Sequence, residues 1–134
     1  MSSRGPDRAR LPQMTTTNTV DADCIFCKIA TREIPADVLH ESDTVVAFRD
    51  TNPQAPVHIL LIPKDHIASV EEIENRHAGV LADLVQTATH LAKAEGISEG
   101  GWRLVTNVGP DAGQSVFHLH FHLLGGRDMA WPPG

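Results

Sequence analysis

The chain is predicted to fold as an α+β domain. Three observations lead there: five short apolar segments of strand length, one long segment of helical periodicity between the third and fourth, and a histidine at every second position near the C-terminal end. A β-β-β-α-β-β order suits a five-stranded antiparallel sheet with one main helix and one short helix better than the repeated βα units of a doubly wound fold. At 134 residues the chain is the size of one domain with one hydrophobic core.

Residues 1–21 are rich in Ser, Thr, Arg, Pro and Asp and too poor in large apolar side chains to offset their own ordering, so they are predicted to be a flexible N-terminal tail ahead of a domain at 22–134. "CIFCKIATREIPA" spaces Ile25, Phe26 and Ile29 as a short helical turn, which Pro35 follows with an extended exit. "DVLHE" (37–41) and "TVVAFRD" (44–50) form two strands of a hairpin across Ser42 and Asp43, and "VHILLIP" (57–63) is a third, β-branched strand closed by proline. Ser69 and Glu72 have capping-box spacing. The main helix is predicted over 75–95, where Val80, Leu81, Leu84, Val85, Ala88, Leu91 and Ala92 fall on one face and Gly96 stops it. "WRLVTN" (102–107) and "SVFHLHFHLL" (115–124) are the fourth and fifth strands.

Composition excludes several function classes. Net charge is −6 and no lysine or arginine cluster interrupts the folded part, which argues against broad electrostatic binding of nucleic acid or an anionic membrane. No apolar run is long enough to span a bilayer, and the N-terminal arginines have no apolar h-region behind them, so the expected location is the cytoplasm. Two cysteines are too few for a disulfide framework; Cys24 and Cys27 in C-x-x-C spacing suit a metal or a redox couple, or are a plain buried pair. No thioredoxin-like βαβ pattern surrounds them, which weakens the redox reading.

The eight histidines point to a site, because three of them lie at 118, 120 and 122. In a continuous strand Phe117, Leu119, Phe121 and Leu123 would enter the core, while His118, His120 and His122 would share the opposite face. Neighbouring imidazoles would then stand roughly 6 to 7 Å apart and the outer two about 13 Å apart at Cα, far enough to serve two adjacent sites. Three readings fit: a solvated histidine-rich face, one metal chelated by all three, or a nucleophilic imidazole beside a phosphate-binding one. The preceding loop "NVGPDAGQS" (107–115) favours the last, since Gly109 and Gly113 let backbone N–H groups approach phosphate, with Gln114 and Ser115 just before the strand.

The run H118-L-H120-F-H122-L-L resembles the signature of the histidine triad (HIT) nucleotide hydrolases and transferases. "CIFCKI", "EIPA", "FRDTNPQAPVHILLIPKDH", "NVGPDAGQSVFHLHFHLLGGR" and the terminal "WPPG" extend the similarity to the Hint branch from Cys24 to Gly134, and the cysteine pair resembles its bacterial members. The resemblance implies a HIT-like fold that pairs into a homodimer. It also implies cleavage of purine nucleoside 5′-phosphoramidates of the AMP or GMP type through a nucleotidyl-histidine intermediate on His120. By the same resemblance His122 contacts the phosphate, Ser115 assists the departing amine, His58 packs close to the triad, and Asn107, Gly113 and Gln114 flank the phosphate. The nucleoside pocket would comprise Phe26, Ile29, Ile34, Phe48, Asp50 and Leu60, with the Asp50 carboxylate accepting from the ribose hydroxyls.

Similarity to zinc-containing relatives further implies a structural Cys2His2 zinc site on Cys24, Cys27, His66 and His118, and no organic cofactor. Trp131, in a tail that reaches the partner's active site in this branch, would complete the pocket across the dimer. Ala130 stands where close relatives carry a polar residue. Alternatives are hydrolysis or phosphorolysis of dinucleoside polyphosphates or nucleotidyl sulfates, a nucleotide- or zinc-binding interaction module, and a metallohydrolase with a tri-histidine centre.

Overall fold

The computed structural model describes residues 18–134. Most of the stretch expected to be a flexible tail therefore lies outside the described residues. At its end, Thr19 is already tied to the domain: its N–H donates to Asp65 Oδ1 at 2.7 Å and its carbonyl accepts from the His66 N–H at 2.7 Å. The docked chain thus begins before residue 22.

Helix α1 (Ile25–Ala30) is followed by β1 (Val38–Glu41), β2 (Val45–Arg49) and β3 (Val57–Pro63). Two 3-10 turns (Val70–Glu72 and Asn75–His77) lead into the main helix α2 (Ala78–Ala94), and β4 (Trp102–Val105) and β5 (Phe121–Gly125) complete the chain. The five strands form one sheet in the order β1-β2-β3-β5-β4, every neighbour antiparallel. The helix predicted from residue 75 starts as a 3-10 turn and becomes α-helical at Ala78.

Alternation of side chains along β2, β3 and β5 divides the apolar residues into two layers. Val45, Ala47, Ile59, Leu61, Phe121 and Leu123 face α2, where Leu84, Ala88, Leu91 and Ala92 close over them. Phe48, Leu60, Val46 and Ile62 face the other way and pack with Phe26 of α1. Complete burial of β3 follows from its central place, covered on both faces and paired on both edges. Val85, expected on the buried stripe, is exposed. At roughly 100° per residue it lies at the margin of the arc centred on Leu84, Ala88 and Leu91, while Thr87 on the opposite margin is buried.

The fifth strand departs most from expectation. Residues 116–118 bend and regular pairing starts only at Phe121, so the alternation drawn from 115 to 124 fails in its first half. Phe117, expected in the core, is 59% exposed, whereas His118, expected on the opposite open face, is completely buried. The cause is local: the Leu119 N–H donates to the Ile67 carbonyl at 2.5 Å, off the sheet, and the His118 ring is drawn inward to donors and acceptors beneath it. The fourth strand likewise stops at Val105 rather than 107, and the Thr106 hydroxyl donates to the His120 carbonyl at 2.9 Å.

Candidate active site

Pairing register builds the floor of a cleft on the sheet face away from α2. Phe48 stands opposite Leu60, and Leu60 opposite His122, so three side chains on adjacent strands line up on one face. His58, two residues before Leu60, shares that face. Helix α1 and the 34–37 segment wall the cleft, whose volume is about 630 Å³. Phe26, Ile29, Ile34, Phe48, Asp50, Leu60, Ser115, His120 and His122 all line it.

The hydrogen bonds around the imidazoles assign their tautomers. His120 Nδ1 lies 2.7 Å from the His118 carbonyl, an acceptor only, so Nδ1 carries the proton and the neutral ring keeps a bare Nε2. Phe26 stands edge-on to the His120 ring with centroids 5.0 Å apart, and the His122 ring is also at 5.0 Å, which fix its plane. At His58 the Gln54 backbone N–H donates to Nδ1 at 3.0 Å. His58 Nε2 therefore carries the proton, and it donates to His122 Nδ1 at 2.9 Å. By elimination the neutral His122 presents Nε2–H. One imidazole thus offers a lone pair and its neighbour a donor.

Burial sets the charge state of the second ring. It lowers the His122 pKa to about 4, helped by the neighbouring His120 and His58 and opposed by Asp50. Burial lowers the His58 pKa as well, again opposed by Asp50, whose Oδ2 is 3.4 Å from His58 Nε2. The other Asp50 oxygen accepts the Asn52 N–H at 2.8 Å, which turns the chain between β2 and β3 and fixes the carboxylate at the cleft edge.

A second cluster lies on the far side of His118. Cys24 Sγ is 3.4 Å from His118 Nδ1; Cys27 Sγ is 3.4 Å from His66 Nδ1 and 3.5 Å from His118 Nδ1. All four ligand atoms fall within 4.8 Å of one another. Tetrahedral zinc with its usual Zn–S and Zn–N bond lengths requires S···N edges of about 3.5 Å, so the arrangement fits that ion. The surroundings fit too. His118 Nε2 donates to the Pro63 carbonyl at 2.9 Å, turning its bare Nδ1 to the thiols. Backbone N–H groups of Asp21 and Cys27 donate to the two sulfurs at 3.4 Å. Burial raises the Cys27 pKa to about 11 and lowers that of His118 to about 4. A bound cation would release the thiol protons and find the imidazole already neutral.

The three triad imidazoles do not converge on one point: His118 belongs with the cysteines, His122 with Asp50 and His58, and His120 with neither group. That geometry removes the reading in which all three chelate a single metal.

Other expected residues stand elsewhere. Gln114 is buried and its amide is occupied: Oε1 accepts the Gly109 N–H at 3.0 Å, and Nε2 donates to the Ala68 and Val116 carbonyls at 2.9 and 3.1 Å. It clamps the loop shut instead of pointing at the cleft. Gly109 (φ +81°) and Gly113 (φ +83°) bracket that loop in the left-handed region, which a side chain would strain. Asn107 and Gly113 are not among the cleft's lining residues, His58 acts behind His122, and Trp131 is 82% exposed with the Arg103 guanidinium 5.9 Å from its ring.

The cleft also has walls that the sequence reading missed, notably Ile25, Pro35, Ala36, Asp37, Arg49, Thr51 and Val116. Ile25 and Val116 lie within the quoted segments and were findable from them. Arg49 lies within one as well, but its orientation depends on Glu95 at 3.0 Å and Asp37 at 3.7 Å, which no local pattern places beside it.

Among the described residues, no helix is long and apolar enough to cross a membrane. Comparison with known proteins agrees with the geometry. Among curated relatives, a 14 kDa zinc-binding protein of Brassica juncea is 54% identical, covering 84% of this chain and all of that one. Adenylylsulfatase HINT1 of Arabidopsis thaliana is 53% identical over 85% of this chain and 78% of its own. Purine nucleoside phosphoramidase of Escherichia coli K12 is 46% identical over 80% of this chain and 90% of its own. A HIT family hydrolase from Legionella pneumophila, solved as a crystal structure, superposes with a TM-score of 0.82 at 54% identity, covering 84% of this chain and 100% of that chain. The HIT domain family model matches residues 31–129, and the chain belongs to the HIT domain family.

Proposed function

We propose that the protein is a hydrolase of purine nucleoside 5′-phosphoramidates that works through covalent catalysis by His120. The observation that carries this reading is the His120 ring: Nδ1–H is held by the His118 carbonyl at 2.7 Å, and the ring lines the cleft beside a donor from His122. The base would lie between Phe26, Ile29, Ile34, Phe48 and Leu60, with the ribose hydroxyls on Asp50.

His120 Nε2 attacks the α-phosphorus, forming an N–P bond as the substrate P–N bond breaks. His122 Nε2–H stabilises the phosphoryl oxygens as charge develops. The departing nitrogen takes a proton through the Ser115 hydroxyl, which is open to solvent. Water then attacks the phosphorus and gives up a proton to solvent as the His120–P bond breaks, and the nucleoside monophosphate leaves with the neutral imidazole restored. Asn107, Gly113 and Gln114 enter this reading as the frame of the phosphate loop.

Cys24, Cys27, His66 and His118 would hold a structural zinc ion. When bound, the ion supplies a cross-link between the N-terminal segment and the start of the catalytic strand. A homodimer would cover the exposed Val85 face and bring Trp131 toward the partner's cleft.

The adenylylsulfatase relative supports a second reading, hydrolysis of nucleotidyl sulfates, on the same histidines. Measuring kcat/KM for adenosine 5′-phosphoramidate, adenylyl sulfate and diadenosine polyphosphates on one preparation decides. The phosphoramidate is expected to lead, and a preference for either of the others would overturn the assignment.

A further inference from the structure

We propose that Arg127 is a positioning residue for the reaction: through the turn between β2 and β3 it holds His58 in the one tautomer that lets His122 present a donor to the phosphoryl group. This rests on the phosphoramidase reading and adds the residue that orders its phosphate-binding histidine from outside the cleft.

The neutral His58 and His122 rings have two arrangements in which their shared hydrogen bond is made. In one, His58 Nε2–H donates to His122 Nδ1, and His122 keeps Nε2–H. In the other, His122 Nδ1–H donates to His58 Nε2, which leaves His122 Nε2 a bare lone pair. The first meets developing negative charge with a donor, and the second repels it. The 2.9 Å contact between the rings serves both equally, so the choice is made elsewhere. The Gln54 backbone N–H, 3.0 Å from His58 Nδ1, can only donate and therefore requires the first arrangement. Asp50 Oδ2, 3.4 Å from His58 Nε2, favours it as well, but in this reading that carboxylate also serves the ribose hydroxyls.

Gln54 is held from within its turn and from outside it. Within, its side-chain Nε2 donates to the Asn52 carbonyl at 3.1 Å. From outside, Arg127 Nε donates to the Gln54 carbonyl at 3.0 Å, and Nη1 of the same guanidinium donates to the Asp128 carbonyl at 2.9 Å, which fixes its plane. The chain reaches this place because Gly126 crosses Pro56 in the left-handed region (φ +91°), where a Cβ would meet the proline Cβ at 3.0 Å. Hydrogen bonds thus run in series from the guanidinium through Gln54 and His58 to His122. Arg127 is exposed, so its expected effect is that of one net hydrogen bond and not that of a catalytic group.

Arg127→Ala in the full chain tests this by spectrum and by rate. Long-range proton–nitrogen spectra of the parent with isotope-labelled histidines should show Nδ1 unprotonated on both His58 and His122, and the variant should show a second tautomer at both rings. With adenosine 5′-phosphoramidate, kcat should fall about fivefold while KM changes by less than about twofold. Arg127→Lys, which can still donate to the carbonyl, should recover most of that loss. In a His58→Ala background Arg127→Ala should cost nothing further, because the ring through which it acts is gone. Parental tautomers in Arg127→Ala, a loss that persists in the His58→Ala background, or a rise in KM with kcat unchanged would overturn the positioning role and leave the reaction assignment standing. A parent chain that does not turn over the phosphoramidate would overturn the reaction assignment, and the spectra would then decide the tautomer lock alone.

Discussion

The two histidine clusters on either side of His118 share a residue type, a segment of chain and nearly the same burial, yet the partner of the second ring nitrogen gives them different chemistry. On one side His118 donates Nε2–H to the Pro63 carbonyl and turns a bare Nδ1 toward two thiols. On the other, His120 donates Nδ1–H to the His118 carbonyl and turns Nε2 to the cleft, while His58 hands a hydrogen bond to His122. The first arrangement suits a cation and the second a phosphoryl group. What a histidine does here is decided by the hydrogen-bond partner behind it, an acceptor for His118 and His120 and a donor for His58 and His122, and His118 joins the two clusters by serving one through its ring and the other through its carbonyl.

The comparison can be broken by substitutions that act on one cluster only. The largest effect is expected from His120→Ala, which should lower kcat by roughly four orders of magnitude or more while AMP still binds within a few-fold, as calorimetry would report. Retained turnover would remove the nucleophile from the account. His58→Ala should cost about 10- to 100-fold in kcat, because His122 loses the donor that sets its tautomer; Tm measured in parallel should change far less than the rate. On the metal side the pattern reverses. Cys27→Ser should reduce bound zinc, read by elemental analysis, and lower Tm by roughly 10 °C, with kcat at low temperature within a few-fold of the parent.

Acid provides a smaller, shared probe. Both His118 and His122 have pKa values lowered to about 4 by burial, against an ordinary value of 6.5. Between those limits the unfolded chain binds more protons than the folded one, so their contribution to stability is fully present above pH 6.5 and is lost as pH falls toward 4. The urea midpoint is expected to drop across that window. His122→Leu should shallow the drop, and an unchanged slope would argue that the buried ring does not titrate as described.

Much of this was legible in the chain before its coordinates. Short apolar, β-branched runs found β2 and β3 because both lie within the sheet between two apolar layers, and the 3.6-residue stripe found α2 because its neighbours Leu84, Ala88 and Leu91 are buried together. Period-2 alternation misplaced Phe117 and His118, since it presumes regular extension, and residues 116–118 bend where Leu119 bonds to Ile67 and the His118 ring turns inward. Spacing alone offered Cys24 and Cys27 as a metal pair, whereas His66 and His118 were nameable as their partners only through resemblance, because the four become neighbours only in the folded chain. Gln114 looked like a phosphate ligand from its place beside Ser115. Its amide is instead consumed by three backbone groups, a long-range fact that includes Ala68 and that no local pattern encodes.

The central claim is that His120 Nε2 becomes bonded to phosphorus during turnover. Rapid acid-free quenching with a slowly hydrolysed adenosine phosphoramidate, followed by intact-mass measurement and fragmentation, tests it most directly. The account predicts a transient adduct of one adenylyl group on His120, absent from His120→Ala. Full turnover without any adduct, or an adduct mapped to His58 or His122, would contradict it.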